Sequence, residues 1–306
     1  MIYTVTFSPA VDYIVTLEKL TPGETNRSQG ETWHWGGKGI NVSILLSRMG
    51  VPNTALGFVA GFTGKALERG LQDEGIDTQF IHLQKGLSRI NLKIRGAQET
   101  EINAQGPEIP PKAVGQLLTQ LQTIQPQDTL VLAGNIPHTL PDDMYEQILR
   151  SLQGREIRVV VDATRDLLRR VLPYRPFLIK PNQRELGDLF GTTLESQEEI
   201  AAHAVLLQRE GARNVLVSLG KRGALLAAET GEILTLPALG GKPKYTVGAG
   251  DSMVAGFLKG YLQSRDYLTA LRWGCAAGGA TACSDELGTK AEIEALYQAA
   301  LAKGKE

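Results

Sequence analysis

The spacing of apolar positions changes repeatedly along the chain. Residues 2–7, Ile-Tyr-Thr-Val-Thr-Phe, are rich in β-branched and aromatic types and predict a strand. Between 39 and 49 the period becomes helical, with Val42, Leu45, Leu46 and Met49 on one face, and Gly50 stops the run. Residues 54–59 read as a strand again, and 63–74 as a helix ending at Gly75. Behind two prolines, Val114, Leu117, Leu118, Leu121 and Ile124 form the apolar stripe of a helix over 110–124. Short, nearly continuous apolar runs at 129–133, 157–161, 177–179 and 215–217 predict buried strands. Helices are predicted at 141–152, 182–190, 196–210, 250–263, 266–283 and 290–302.

Apolar strands alternating with helices imply parallel strands joined by crossovers, with helices on both faces, an α/β architecture. Two segments interrupt the alternation, 11–33 and 88–105. In both, apolar and polar side chains alternate, as in Tyr13-Ile14-Val15-Thr16-Leu17 and Arg89-Ile90-Asn91-Leu92-Lys93-Ile94, which suits a half-exposed sheet. They are expected to form one small antiparallel sheet standing off the main body. No Pro/Gly/Ser linker and no internal repeat appears, so residues 1–306 are expected to make a single domain with that sheet as an appendage.

Composition narrows the functional classes. Hydrophobic residues make up 42% of the chain, enough for a substantial core, which excludes a disordered protein. The 32 Lys and Arg are balanced by 33 Asp and Glu, so the basic excess of a nucleic-acid or anionic-membrane binder is missing. The first lysine is Lys19, so a secretory signal is not expected, and no apolar run is long enough to predict a membrane span. Cys275 and Cys283 are the two cysteines; they lack metal-ligand spacing and read as buried thiols in a reducing cytoplasm.

The candidate chemistry sits in a few short stretches. In Thr246-Val247-Gly248-Ala249-Gly250-Asp251-Ser252, three residues with little or no side chain lead into a helix. Such a turn lets backbone N–H groups and a helix N-terminus meet a phosphate or a developing oxyanion. Taken alone, Asp251 in the first helical turn reads more readily as an N-cap or a dipole-favoured acid than as a catalytic acid–base. Gly36-Gly37-Lys38-Gly39-Ile40-Asn41 opens another helix; it is a tight turn or a contact for a hydroxylated ligand, and its spacing is not that of a nucleotide P-loop. In Lys180-Pro181-Asn182-Gln183-Arg184-Glu185, Asn182 and Glu185 share a helix face, either as a capping box or as the few ligands a hydrated Mg²⁺ needs. Ser218-Leu219-Gly220-Lys221-Arg222-Gly223 is a hairpin turn or a nucleotide-side loop. Arg89, Asn91 and Lys93 face one side of their strand, as a solvated row or as a phosphate clamp.

In this order, the Gly36–Asn41 and Thr246–Ser252 stretches resemble the two signatures of the PfkB or ribokinase-like sugar kinases, and the resemblance runs from Thr4 to Thr289. It implies a three-layer α/β/α domain with a largely parallel sheet and a small β-sheet lid, formed here by about 11–33 and 88–105, through which many members dimerise. Asp12, the row Arg89-Ile90-Asn91-Leu92-Lys93 and Lys180-Pro181-Asn182 are similar to the branch acting on fructose 1-phosphate; tagatose-6-phosphate kinases are near neighbours. Tagatose 6-phosphate and fructose 6-phosphate are therefore the alternative substrates, and a non-catalytic sugar-phosphate sensor is the alternative of another class. The resemblance implies ATP with Mg²⁺, Asp251 as general base and Gly248, Ala249 and Gly250 as the anion hole. It places the sugar phosphate against Asp12, Arg27, Gly36, Gly37, Lys38, Asn41, Arg89, Asn91 and Asn135. It places ATP against Lys180, Asn182, Ser218, Gly220, Lys221, Gly223, Gly248 and Gly250, with the metal at Asn182 and Glu185. It further implies a cytoplasmic homodimer joined through the lid. Ser8, Asn135 and Tyr245 depart from the family pattern.

Overall fold

A computed structural model describes residues 1–163, 165–244 and 246–303. The chain starts as β1 (Ile2–Thr6), leaves the main body as β2 (Ala10–Thr16) and β3 (Gly30–Gly36), and returns through α1 (Lys38–Arg48), β4 (Asn53–Ala60), α2 (Gly61–Asp73) and β5 (Asp77–Leu83). It leaves again as β6 (Arg89–Arg95) and β7 (Thr100–Asn103). Then follow α3 (Pro111–Leu121), β8 (Thr129–Ala133), α4 (Met144–Ser151), β9 (Arg158–Asp162), α5 (Arg165–Val171) and β10 (Leu178–Ile179). The remaining elements are α6 (Gln183–Phe190), α7 (Gln197–Glu210), β11 (Asn214–Ser218), β12 (Ala224–Ala227), β13 (Ile233–Leu236), α8 (Ala249–Ser264), α9 (Tyr267–Cys283) and α10 (Lys290–Lys303).

Among the described residues, nine strands form one sheet in the order β13-β12-β11-β10-β9-β8-β1-β4-β5. Its pairs are parallel except β11–β12 and β12–β13. Successive residues of a strand serve opposite faces: Leu130 and Leu132 join the cluster that includes Leu117, Ile148 and Leu207, whereas Val131 and Ala133 join Leu45, Val254 and Phe257. Burial on both faces explains why these strands read as unbroken apolar runs. From β1 the chain runs to β4 and β5 on one side, and from β8 to β9, β10 and β11 on the other. The order thus reverses between β1 and β8, and a crevice opens outside their carboxyl ends, where ligands of open α/β sheets bind. No helix among the described residues is long and apolar enough to cross a membrane.

Over this crevice stands a second sheet, ordered β3-β2-β6-β7. It is mixed and not antiparallel as expected, because β2 and β6 pair in parallel. Each follows a parallel strand of the main sheet after a short link, β1 to β2 and β5 to β6, so both depart in one direction. Four elements escape the sequence reading. The β5 segment Asp-Thr-Gln-Phe-Ile-His-Leu is an edge strand with exposed polar positions. Alanine and leucine in β12 carry no strand propensity of their own. The short edge strand β13 and the two-turn α5 lack a long periodic signal. Cys275 is buried, which pushes its thiol up to about 12, but Cys283 is only half-buried and departs from the expectation of two buried thiols.

Candidate active site

The crevice holds a cavity of about 670 Å³ whose walls come from the carboxyl ends of β1 and β8, the turn into α1, the first turn of α8 and the lid strands β2 and β6. A second cavity, of about 490 Å³, is lined by Ser218, Gly220, Lys221 and Gly223 on one side and by small or apolar residues such as Ala238, Leu239, Met253 and Gly278 on the other. Asn182, Ser218 and Gly250 line both. The two spaces therefore meet at the N-terminus of α8.

Asp251 stands at that junction, in the first turn of α8, and is buried. Among the described residues, the side-chain hydrogen bond to its carboxylate comes from Asn41 Nδ2, on α1, which donates to Oδ2 at 2.8 Å. Burial, then the nearby charge of Asp162, push its pKa up to about 7, against the opposing pull of Asn41, Lys38 and Lys180. An acid poised there exchanges protons near neutrality. Gly248 caps the helix with φ 79°, a left-handed backbone natural to glycine. The expected three-donor turn is narrower than read from the sequence, because Ala249 N–H is taken by Thr246 O at 3.2 Å.

Asp162 escaped the sequence reading. It ends β9, is buried, and pairs with Lys180 Nζ through Oδ1 at 3.4 Å and with Lys38 Nζ through Oδ2 at 3.3 Å. Burial alone would raise its pKa, but the two ammonium groups outweigh burial and hold it low. The one available signal was an acid at the carboxyl end of a buried parallel strand. Asp162→Asn strands Lys180 in the interior, so it should cost about 3–5 kcal/mol in a denaturant titration. With a lowered folded pKa, the contribution of Asp162 is present above its unfolded value of 3.8 and is lost as pH falls from there through the folded value.

In the lid, register brings Asp12 on β2 opposite Asn91 on β6. Asn91 Nδ2 donates to Asp12 Oδ1 at 2.8 Å, and Lys93 Nζ lies 3.5 Å from Oδ2. A side chain on Gly36 would sit 2.7 Å from the Asp12 carboxyl carbon, so Gly36 makes room for Asp12 and does not line the main cavity. Only Arg89 of the predicted cationic row lines that cavity; Asn91 and Lys93 are buried and brace Asp12. Arg89 Nη2 donates to Ser8 O at 3.0 Å, its Nε has no partner, and among the described residues no carboxylate lies within ion-pair distance. Gly37, Lys38, Asn41 and Asn135 line the cavity as well. Arg27 does not: it lies exposed in the loop between β2 and β3.

Asn182 and Glu185 form the capping box of α6: Asn182 Oδ1 accepts Glu185 N–H at 2.8 Å, and Glu185 Oε2 accepts Asn182 N–H at 2.8 Å. Both also line the main cavity, and Glu185 Oε1 lies outside the box. The Ser218–Gly223 stretch is at once the β11–β12 hairpin and a wall of the second cavity. His138, in the β8–α4 loop, also lines the main cavity and was not anticipated. Tyr245 lies outside the described residues.

This arrangement matches known proteins over almost its full length. Residues 3–294 match the family described as pfkB family carbohydrate kinase. The chain is 46% identical to 1-phosphofructokinase of Bacillus subtilis, covering 97% of each chain. It is 38% identical to D-tagatose-1-phosphate kinase of Bacillus licheniformis, covering 96% of each. That tagatose relative is named for the 1-phosphate and not the 6-phosphate. The structure of phosphofructokinase-2 from Escherichia coli in complex with fructose-6-phosphate superposes with a TM-score of 0.90 at 26% identity, over 98% of this chain and 99% of that one.

Proposed function

Since the chain belongs to the pfkB family of carbohydrate kinases, we propose that it uses ATP to phosphorylate D-fructose 1-phosphate, giving fructose 1,6-bisphosphate and ADP. The observation that carries this reading is Asp251, a buried carboxylate held near neutrality where two cavities meet beside a glycine turn. Asp251 takes the proton of the sugar hydroxyl while that oxygen attacks the γ-phosphorus and the bond to the bridging oxygen of ADP breaks. The free N–H groups at the start of α8, with Gly248 and Gly250, receive the charge on the transferring phosphoryl. Asp12, braced by Asn91 and Lys93, accepts hydrogen bonds from sugar hydroxyls, and Gly37, Asn41 and Asn135 complete that wall. Lys180, Asn182 and the Ser218–Gly223 hairpin, through Gly220 and Lys221, serve ATP. The donor set suits a hydrated Mg²⁺, since Glu185 keeps one oxygen outside its capping box beside Asn182; when bound, the ion would offset phosphate charge.

Arg89 is assigned the phosphate already on the substrate, with Lys38 in support. It is a half-buried guanidinium that lines the cavity; burial pulls its pKa below its ordinary value, and its buried Nε has no partner. A charge-assisted pair of this kind contributes roughly 1.5–3 kcal/mol. Arg89→Ala should therefore raise KM for the sugar phosphate about 10–100-fold while KM for ATP stays level. Lysine should recover only part, because an ammonium cannot form the fork. Equal losses for both substrates would make Arg89 a structural lid residue.

The lid is read as a cover that excludes water during transfer and as the contact of a homodimer. Its register sets Trp33, Tyr13, Leu92 and Ile102 in one row across all four strands, and Trp33 and Ile102 are exposed. An ADP-release assay on fructose 1-phosphate, fructose 6-phosphate, tagatose 1-phosphate and tagatose 6-phosphate tests the substrate assignment. The highest kcat/KM is expected for fructose 1-phosphate. Preference for another sugar phosphate would move the assignment to that substrate, and binding without turnover would make the protein a sensor.

A further inference from the structure

The turn that opens α8 is held from beneath by a directed chain of hydrogen bonds. Gly248 O accepts two bonds from one residue, Ser252: its N–H at 2.8 Å and its Oγ at 2.8 Å. Ser252 Oγ lies 2.7 Å from Thr281 Oγ1 on α9, and Thr281 Oγ1 accepts Gly288 N–H at 2.9 Å. Ser252 and Thr281 are fully buried.

Each hydroxyl has one proton, which fixes every direction. The proton of Ser252 goes to Gly248 O, so the Thr281 hydroxyl donates to Ser252 Oγ and its own lone pair takes Gly288 N–H. A serine bonded back to the carbonyl four residues earlier is common in helices. Here the second hydroxyl occupies the acceptor side of Ser252 and leaves its proton a single destination. Both lone pairs of Gly248 O are thereby filled, while Ala249 N–H is tied to Thr246 O. The Gly248–Ala249 peptide is gripped from both ends. Among the described residues, the N–H groups of Gly250 and Asp251 have no partner in the turn. They are the donors that phosphoryl transfer would use.

We propose that Thr281 is a positioning residue for phosphoryl transfer: through Ser252 it holds the Gly248 peptide so that the first N–H groups of α8 stay aimed at the transferring group. The proposal rests on the kinase reading above. Thr281 touches neither cavity, so its effect should fall on kcat and not on binding.

The test is steady-state kinetics of Thr281→Val, Thr281→Ser and Ser252→Ala beside Asp251→Asn. Thr281→Val keeps the shape and removes the hydroxyl. It is expected to lower kcat on the order of tenfold, the scale of a small misplacement of reacting groups, with KM for both substrates within about twofold. Thr281→Ser, which restores the hydroxyl without the methyl, should return most of the rate. A folded Thr281→Val with normal kcat, or a Thr281→Ser as slow as the valine variant, overturns the proposal. Should the valine variant fail to fold, Ser252→Ala decides it by the same split: a lower kcat at level KM supports it, and an unchanged kcat overturns it. Asp251→Asn separates the two readings. If it retains turnover, the kinase mechanism itself fails; if it is inactive while the hydroxyl variants are unimpaired, only the positioning role fails.

Discussion

Asp251→Asn is expected to fold, to bind both substrates and to turn over about 10²–10⁴ times more slowly, the range for a missing general base. The substitution is nearly isosteric, and its amide oxygen can still accept the Asn41 Nδ2 bond of 2.8 Å. What disappears is proton acceptance. The pH profile follows from the raised value of about 7: kcat/KM of the native enzyme should climb as pH rises through that value and level above it, because only the ionised base accepts a proton. Stability runs the other way. A folded pKa above the unfolded 3.8 means that the fold holds the proton more tightly than the unfolded chain. That contribution is complete below the unfolded value and is lost as pH rises through about 7. The Asn variant does not ionise, so at pH 8 it should melt no lower than the native protein. Coupled turnover assays and thermal melts at two pH values check both halves. A variant that melts lower while keeping its rate would make Asp251 a structural cap.

Between base and cap, the linear sequence could not choose. The glycine turn and the helix behind it mark residue 251 as special. The deciding contact is with Asn41, 210 positions away, and that pairing appears only in three dimensions. Asp162 was harder still. At the end of Arg-Val-Val-Val-Asp it reads as the last residue of a strand, and it gains meaning from Lys38 and Lys180, which distant segments deliver to its two oxygens. Period-2 spacing correctly grouped Arg89, Asn91 and Lys93 on one face. Their division of labour depends on the β2–β6 register, which puts Asp12 opposite Asn91 and absorbs two of the three. Apolar runs located the central strands because both of their faces are buried. The edge strands β5 and β13 face solvent on more of their surface and lose that signal.

Gly250→Val should abolish turnover, by about 10³ or more, while costing the fold little. The backbone is not the obstacle: unlike Gly248, Gly250 does not sit at positive φ, and a β-branched residue is a better helix former than glycine. Space is the obstacle. A Cβ there lies 3.0 Å from Lys180 Nζ and 3.4 Å from Lys180 Cε, and valine adds two methyl groups. Lys180 would have to give way, loosening its 3.4 Å pair with Asp162. The methyl groups would also stand where both cavities meet, between the N–H groups of α8 and any phosphoryl approaching them. Removing a single such donor costs about 10²–10³, and this change blocks more than one. Overpacking costs the fold on the order of 1–3 kcal/mol, partly offset by the helix preference. Gly250→Ala should be intermediate, since its lone methyl meets the movable end of a lysine. Melting curves, calorimetric ATP binding and turnover at saturating sugar phosphate separate these effects. A well-folded valine variant that still turns over would show that phosphate does not approach this turn, and the anion hole would have to be sought elsewhere.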